Sequence, residues 1–153
     1  MVEYEEIEGN LLDLHDQGNF DMIGHGCNCH KMMATGIARQ IADRYNDAFR
    51  VDYMDPRNTH RRLGDYTLSE EQSVLNLYTQ YNPGRAFDVE AFTICMRKVN
   101  LNFPGLHIGL PQIGCGIAGG DWNQVKEIIK KELSDMKVTV VIYKPNKNEN
   151  TTT

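Results

Sequence analysis

The segment from His25 to His30 concentrates imidazole, thiol and amide groups that could take part in chemistry. An imidazole with a pKa near its usual value of about 6.5 can act as an acid or a base near neutral pH. The side-chain amide of Asn28 can both donate and accept hydrogen bonds. Simpler interpretations remain open, because His25 ends a predicted strand and could be a hydrogen-bonded core residue, and His30 could be a solvated loop residue.

The cysteines suggest two further kinds of chemistry that the spacing does not favour. Cys27, Cys29 and His30 carry groups that bind zinc, but no second pair of ligands follows at the usual spacing. Cys115 could be a nucleophile if a helix start lowered its pKa, although a small buried residue is the simpler interpretation. We therefore expect no metal and no cofactor. Asp121, just before a predicted helix, is interpreted as its N-cap.

Two glycine-rich loops each connect a predicted strand to a predicted helix. The first runs from His25 to a helix start at Gly36, and an ordinary glycine-containing connection is an alternative interpretation of it. The second contains four glycines within the seven residues 114–120, which is costly in backbone entropy unless the loop needs unusual dihedral angles or close approach of a ligand. Free amides at a helix start can hold a pyrophosphate.

Hydrophobic periodicity predicts the elements that would position these loops. Strands are predicted over residues 2–7, 20–25, 65–68, 74–78, 106–110 and 138–143, and helices over residues 36–46, 88–102 and 121–134. The polar stretch 47–63 contains Pro56 and is interpreted as a broken helix or a loop. This alternation predicts an α/β fold in which helices cover both faces of a mixed, largely parallel sheet.

Length and composition set the outer limits of function. The 153 residues are 41% hydrophobic, which fits one domain over residues 1–146 followed by a disordered tail over residues 147–153. The formal net charge of -5 argues against an extended nucleic-acid surface. No apolar run approaches the roughly 20 residues that cross a bilayer. Four cysteines without an apolar signal segment favour the cytoplasm, and we expect a monomer.

Three motifs together resemble the macrodomain family over residues 2–144. They are Gly9-Asn10-Leu11-Leu12, the run His25-Gly26-Cys27-Asn28-Cys29 leading to Gly36-Ile37-Ala38, and Leu110-Pro111-Gln112-Ile113-Gly114-Cys115-Gly116. The resemblance is strongest to the branch that contains the ADP-ribose 1″-phosphate phosphatases and the deacylating ADP-ribose glycohydrolases. It implies a three-layer α/β/α macrodomain and an ADP-ribose ligand.

The resemblance also implies which residues contact each part of ADP-ribose. The turn from Gly9 to Leu11 would contact adenine, with Asn10 where many macrodomains have Asp, and Tyr143 and Lys144 would border the same side. Asn28 would face the distal ribose. The remaining implied contacts, mostly to the phosphates and the distal ribose, are Cys27, Gly36, Ile37, Ala38, Gln80, Ile113, Gly114, Cys115, Gly116, Ile117 and Ala118.

The same resemblance implies a reaction. Glycohydrolases that work through a lysine adduct carry a Lys in the segment equivalent to residues 78–80 and an Asp where this chain has Ala118, so that mechanism is not expected. The His-x-Cys-Asn-Cys pattern of the phosphatase branch is intact, which makes His25, Asn28 and His30 the candidate catalytic residues. We expect metal-independent hydrolysis of ADP-ribose 1″-phosphate to ADP-ribose and phosphate.

Two alternatives to the phosphatase stay open at this stage. The chain could be a non-catalytic reader of ADP-ribose. It could also be a hydrolase that removes ADP-ribose from modified protein or nucleic acid, or that deacetylates O-acetyl-ADP-ribose.

Overall fold

The computed structural model describes residues 3–144, and the tail predicted over residues 147–153 lies outside this range. In chain order the elements are β1 Glu3–Gly9, α1 Leu11–Asp16, β2 Met22–Asn28, α2 Gly36–Arg44, α3 Asn46–Tyr53, α4 Thr59–Arg62, β3 Tyr66–Ser69, β4 Val74–Gln80, α5 Val89–Asn102, β5 His107–Leu110, α6 Trp122–Glu132 and β6 Lys137–Tyr143. None of the helices in this range has the length and apolar character needed to span a bilayer.

One six-stranded sheet forms the centre of the molecule, in the order β1-β6-β5-β2-β4-β3. Every neighbouring pair is parallel except β3 and β4, which form the predicted hairpin. The parallel strands therefore all end at the same edge of the sheet. The predicted α/β fold with a mixed, largely parallel sheet between helices is confirmed.

The two larger of three hydrophobic clusters among the described residues lie on opposite faces of the sheet. Helices α5 and α6 cover one face with side chains such as Phe92 and Ile129. Helices α1 to α3 cover the other, where Leu12 and Ile41 are buried. A strand buried on both faces alternates between the cores, and for this reason β6 shows an almost continuous apolar run.

The region between β1 and β3 contains helix α1, which the sequence pattern does not reveal, and helices α3 and α4, which confirm the broken-helix interpretation of the stretch 47–63. The predicted turn after Gly9 is instead helix α1, which Asn10 caps. The predicted helix 36–46 ends earlier, because Tyr45 leaves helical geometry with φ -121° and ψ 79°. The Tyr45 hydroxyl donates to Oδ1 of Asp16 over 2.7 Å and lies 3.1 Å from the Leu12 carbonyl, so burial against α1 determines this break.

A buried ion pair holds the polar segment after Tyr45 against the sheet. Arg62 on α4 and Asp52 on α3 are both almost completely buried and hydrogen-bonded to each other. The hydroxyl of Tyr78 on β4 also donates to Asp52 over 2.7 Å, and the Arg62 guanidinium lies 4.2 Å from the centre of the Tyr78 ring. Each buried charge is thus paired, which is the condition under which burial of charge is tolerated.

Candidate functional site

A cavity of about 760 Å³ lies at the edge of the sheet where the parallel strands end. Residues at or just after the ends of β1, β2, β4, β5 and β6 line it, as expected for a ligand site in an open α/β sheet. The predicted site residues that line it are Asn10, Leu11, Cys27, Asn28, Gly36, Ile37, Ala38, Gln80, Ile113, Gly114, Cys115, Gly116, Ile117, Ala118 and Tyr143. The structure therefore brings together both glycine-rich loops.

Four predicted site residues do not line the cavity: Gly9, His25, His30 and Lys144. The Lys144 amide donates to the Gly9 carbonyl, and the Lys144 ammonium pairs with Glu8. These contacts place Gly9 and Lys144 in the ladder at the sheet edge, beside the cavity.

The start of α2 presents free backbone amides to the cavity. The first amides of a helix have no partner within the helix. Asn10, Asp88 and Asp121 accept such amides at α1, α5 and α6, which confirms the predicted capping role of Asp121. At α2 the N-cap residue Thr35 makes no such bond, and no acidic residue lies in the first turn. This end of α2 can accept an anion.

The second glycine-rich loop offers another set of amides. Among the hydrogen bonds of the described residues, the amides of Gly116, Ile117 and Ala118 have no acceptor within the protein. Gly114 has φ +75°, and a Cβ atom there would lie 2.4 Å from the Phe87 ring. Glycine is required at this position for both reasons, since L side chains rarely adopt that φ.

The side chain of Asn28 organises the loop after β2. Its Nδ2 donates to the Met32 carbonyl over 2.9 Å, and its Oδ1 accepts the His30 amide over 2.8 Å. Each atom retains one further hydrogen-bonding position, because an amide nitrogen has two hydrogens and its oxygen has two lone pairs. Asn28 can therefore shape the loop and still contact a ligand.

Asn10 has a similar double role at the opposite end of the cavity. Its Oδ1 accepts the amides of both Leu12 and Asp13. These two bonds occupy both lone pairs of the oxygen, so the group of Asn10 that remains available to a ligand is its NH₂ group, a donor.

His25 is fully buried in the layer between the sheet and α3, outside the cavity. Asn76 donates from its Nδ2 to Ala48 and Thr67, so its Oδ1 must be the acceptor of the 2.6 Å bond from Nε2 of His25. Burial lowers the pKa of His25 to about 4, although the Asn76 bond acts in the opposite direction. This imidazole is neutral at physiological pH.

His30 lies in the loop that follows β2 and is not among the residues that line the cavity. The centre of its ring lies 4.8 Å from the centre of the Tyr81 ring in an edge-to-face arrangement. Its Nε2 lies 3.2 Å from Oδ1 of Asn82. The backbone amide of His30 donates to Oδ1 of Asn28, and Asn28 lines the cavity. His30 is thus a neighbour of the site.

The two cysteines of the cavity carry protonated thiols. Burial raises the pKa of Cys27 well above its ordinary value, and the Asp52 carboxylate acts in the same direction. Burial also raises the pKa of Cys115, with a further contribution from Asp121. Neither environment favours the thiolate that a nucleophile or a zinc ligand requires. The described residues contain no group of three or more His, Cys, Asp or Glu side chains arranged to hold a metal ion.

Several residues of the cavity were not predicted from the sequence. Among them are Leu12, Gly26, Gln40, Asp52, Thr79, Gly84 and Val141. Asp52 lies at the cavity because α3 packs against β3 and β4, where Tyr78 donates to it, and no local pattern indicates this. A polar residue at the end of a buried strand was the available signal for Thr79.

The cavity carries little charge. No Lys, Arg or His is among the described residues that line it, and the only carboxylate among them is that of the paired Asp52. Any anion bound here would be held by backbone amides and uncharged side-chain donors.

Comparison with known proteins gives one relative in sequence and many in structure. No family model matches the chain. The chain is 29% identical over 152 residues to the uncharacterized 17.5 kDa protein in the tk-vs intergenic region of Enterobacteria phage T4, covering 91% of this chain and 96% of that protein.

Solved structures with the same arrangement of elements include macrodomains. The macrodomain of Thermus aquaticus DarG matches with a TM-score of 0.71 and 19% identity, over 95% of this chain and 100% of that one. The macrodomain of Mycobacterium tuberculosis DarG matches with a TM-score of 0.66 and 22% identity, over 95% and 99%. Thermosipho africanus DarTG, described in complex with ADP-ribose, matches with a TM-score of 0.73 and 15% identity, over 94% of this chain and 42% of that one. The chain has the macrodomain fold.

Proposed function

We propose that the cavity binds ADP-ribose. The observation that carries this proposal is the pair of amide groups facing one cavity, at the uncapped start of α2 and in the loop 114–118. Backbone amides and a helix dipole hold phosphate groups without cationic side chains. Two such sets in the lining of one cavity suit a pyrophosphate.

The groups at the two ends of the cavity suit the two nucleoside-like ends of this ligand. Asn10, Leu11 and Tyr143 lie at the ends of β1 and β6, where the adenine would bind. Asn28 and Gln80 lie at the ends of β2 and β4, where the distal ribose would bind. The ADP-ribose complex of Thermosipho africanus DarTG, which shares this fold, supports the same choice of ligand.

Calorimetric titration of the purified protein with ADP-ribose tests the proposal. We expect one site per chain, and binding that is much weaker for AMP, which lacks the pyrophosphate and the distal ribose. Equal affinity for AMP and ADP-ribose, or no binding of either, would overturn the proposal.

We further propose that the same site hydrolyses the 1″-phosphate of ADP-ribose 1″-phosphate. The intact His-x-Cys-Asn-Cys pattern and the position of Asn28 on the cavity wall support this reaction. Amides of the loop 114–118 would stabilise charge on the phosphate during water attack. His25 is buried outside the cavity, so we give it a positioning role; we assign contact with the reacting phosphate to Asn28, which lines the cavity, and His30 is bonded to Asn28 through its backbone amide.

Phosphate release in excess chelator, followed by phosphorus NMR, separates the phosphatase from a reader. We expect wild-type protein to complete many turnovers. We expect His30→Ala to react more slowly while its affinity for ADP-ribose stays unchanged. Ligand-dependent line broadening without product would contradict the phosphatase and leave ADP-ribose binding intact.

A further inference from the structure

Lys31 has a backbone conformation that lysine rarely adopts. Among the described residues other than glycine, only Lys31 and Ser73 have a positive φ, at +62° and +55°. An L side chain costs conformational energy in this left-handed region, whereas glycine adopts it freely. Residues held there in spite of the cost are concentrated at functional sites. Glycine would suit the backbone better at this position, so the lysine side chain calls for an explanation.

The Lys31 side chain reaches the end of α3. Its Nζ donates a 2.9 Å hydrogen bond to the backbone carbonyl of Asp55, which directly follows the C-cap residue Met54. The same ammonium lies 5.8 Å from the centre of the Tyr53 ring. A lysine ammonium near a helix C-terminus also complements the helix dipole. This bond ties the loop after β2 to a helix that begins well beyond it in the chain.

The end of α3 is itself fixed to the sheet. Nη1 of the buried Arg62 lies 3.7 Å from Oδ2 of Asp55. Arg62 also pairs with Asp52, to which the Tyr78 hydroxyl of β4 donates. The Asp55 carbonyl is therefore a firm anchor for the Lys31 ammonium.

The anchored loop forms part of the cavity wall. Residues 32–35 line the cavity and lead directly into the start of α2. Asn28 holds the same loop from the cavity side, through the Met32 carbonyl and the His30 amide. Lys31 is not among the residues that line the cavity, so it holds the loop from outside the space that a ligand would occupy.

We propose that Lys31 is a positioning residue, whose ammonium holds the loop 29–35 against α3 and so orders the cavity wall and the start of α2 before ADP-ribose binds. This inference rests on the proposed binding of ADP-ribose. A loop that is already ordered does not lose conformational entropy when the ligand binds. The lysine side chain thus favours ligand binding at a position where its backbone conformation disfavours folding.

Titration of wild-type protein, Lys31→Met and Lys31→Gly with ADP-ribose tests the proposal, together with the Tm of each protein. Both variants lack the ammonium, but only glycine relieves the left-handed conformation. We expect both to bind ADP-ribose about fivefold more weakly than wild type, and Lys31→Gly to melt at a higher temperature than Lys31→Met. Wild-type affinity in Lys31→Met, or recovery of wild-type affinity in Lys31→Gly, would overturn the proposal.

Ser73→Gly is the matched control. It relieves the same backbone conformation in the turn before β4, at the edge of the sheet opposite the cavity. We expect this variant to melt above wild type and to bind ADP-ribose with unchanged affinity. A loss of affinity equal to that of Lys31→Gly would show that the effect does not come from the ammonium, and would overturn the proposal.

Amide hydrogen exchange of the ligand-free protein tests the loop directly. The His30 amide donates to Asn28 within the anchored loop, while the Cys29 amide donates to the Tyr81 carbonyl. We expect faster exchange of the His30 amide in both Lys31 variants, with exchange of the Cys29 amide unchanged. Equal His30 exchange in all three proteins would overturn this inference alone. Wild-type protein that does not bind ADP-ribose would overturn the proposed function and the positioning role with it.

Discussion

At the scale of single residues, the local hydrogen bonds determine what each polar group can offer to a ligand. Asn10 uses its oxygen to cap α1 and presents a donor, while Asn28 uses both ends of its amide to hold a loop. The sequence predicts that these two amides lie near a ligand. It does not predict which of their atoms remain available, because this depends on neighbours fixed only by the fold.

The Asn10 geometry predicts a change in base selectivity. The amino group of adenine is a donor, and Asn10 has no acceptor left to bind it. The carbonyl of hypoxanthine is an acceptor and could bind the NH₂ group of Asn10. Asn10→Asp would keep one oxygen as the cap and supply a second as a charged acceptor. We expect about tenfold tighter binding of ADP-ribose and weaker binding of inosine diphosphate ribose, measured by calorimetry. Equal changes for the two ligands would contradict this role of Asn10.

His25 predicts a pH dependence of stability. Its folded pKa is about 4, below the unfolded value of about 6.5, so the unfolded chain binds the proton more readily. The contribution of His25 to the free energy of unfolding is fully present above about pH 6.5. As the pH falls towards 4, the free energy of unfolding decreases by about 3 kcal/mol in total. Urea unfolding at several pH values should show a smaller acid-induced loss for His25→Gln than for wild type. Parallel pH profiles for the two proteins would contradict this account.

At the scale of elements, the start of α2 is the feature on which phosphate binding depends most. Sequence periodicity places α2 correctly at Gly36, and the glycine content of both loops indicates where backbone amides are exposed. The sequence pattern does not reveal α1, and for the stretch that holds α3 and α4 it does not decide between a broken helix and a loop. These short helices are stabilised by long-range contacts such as the Arg62–Asp52 pair and the Tyr45 hydroxyl, which have no local signature.

A new cap on α2 should compete with the ligand. Thr35 has extended backbone dihedral angles suited to an N-cap, φ -141° and ψ 161°. In Thr35→Asp the new carboxylate would accept the amides that are proposed to hold phosphate. We expect this cap to raise the free energy of unfolding by about 1 kcal/mol and to weaken ADP-ribose binding at least about tenfold. The control is Thr35→Ala, which leaves the amides free and should bind like wild type. Wild-type affinity in Thr35→Asp, with the expected rise in Tm, would show that the phosphate lies elsewhere.

At the scale of the whole molecule, the proposal requires an acidic protein to bind an anion. None of the described residues that line the cavity has a cationic side chain. The formal net charge is -5 at pH 7, and local amide dipoles must outweigh the repulsion that this charge produces. Sequence composition correctly indicates that no broad basic surface is involved. It does not give the shape of the cavity, which arises where five strand ends, two loops and α3 meet.

Added salt should therefore not weaken ADP-ribose binding, in contrast to its usual effect on the binding of anions. Screening weakens the long-range repulsion between the protein and the ligand, and there is no ion pair between cationic side chains and phosphate for it to weaken. We expect the ADP-ribose affinity to stay constant or rise slightly between about 50 mM and about 500 mM sodium chloride. A fall of about tenfold over this range, measured by calorimetry, would indicate a cationic side chain in the site.

Amide chemical shifts during titration with ADP-ribose test the central claim most directly. The predicted result is a set of changes concentrated at residues 36–38 and 114–118, with smaller changes at Asn10, Asn28 and Thr79, and none in the hollow between α5 and α6 near Asp135. A spectrum that does not change, or changes confined to residues outside the cavity, would contradict the claim that this cavity binds ADP-ribose.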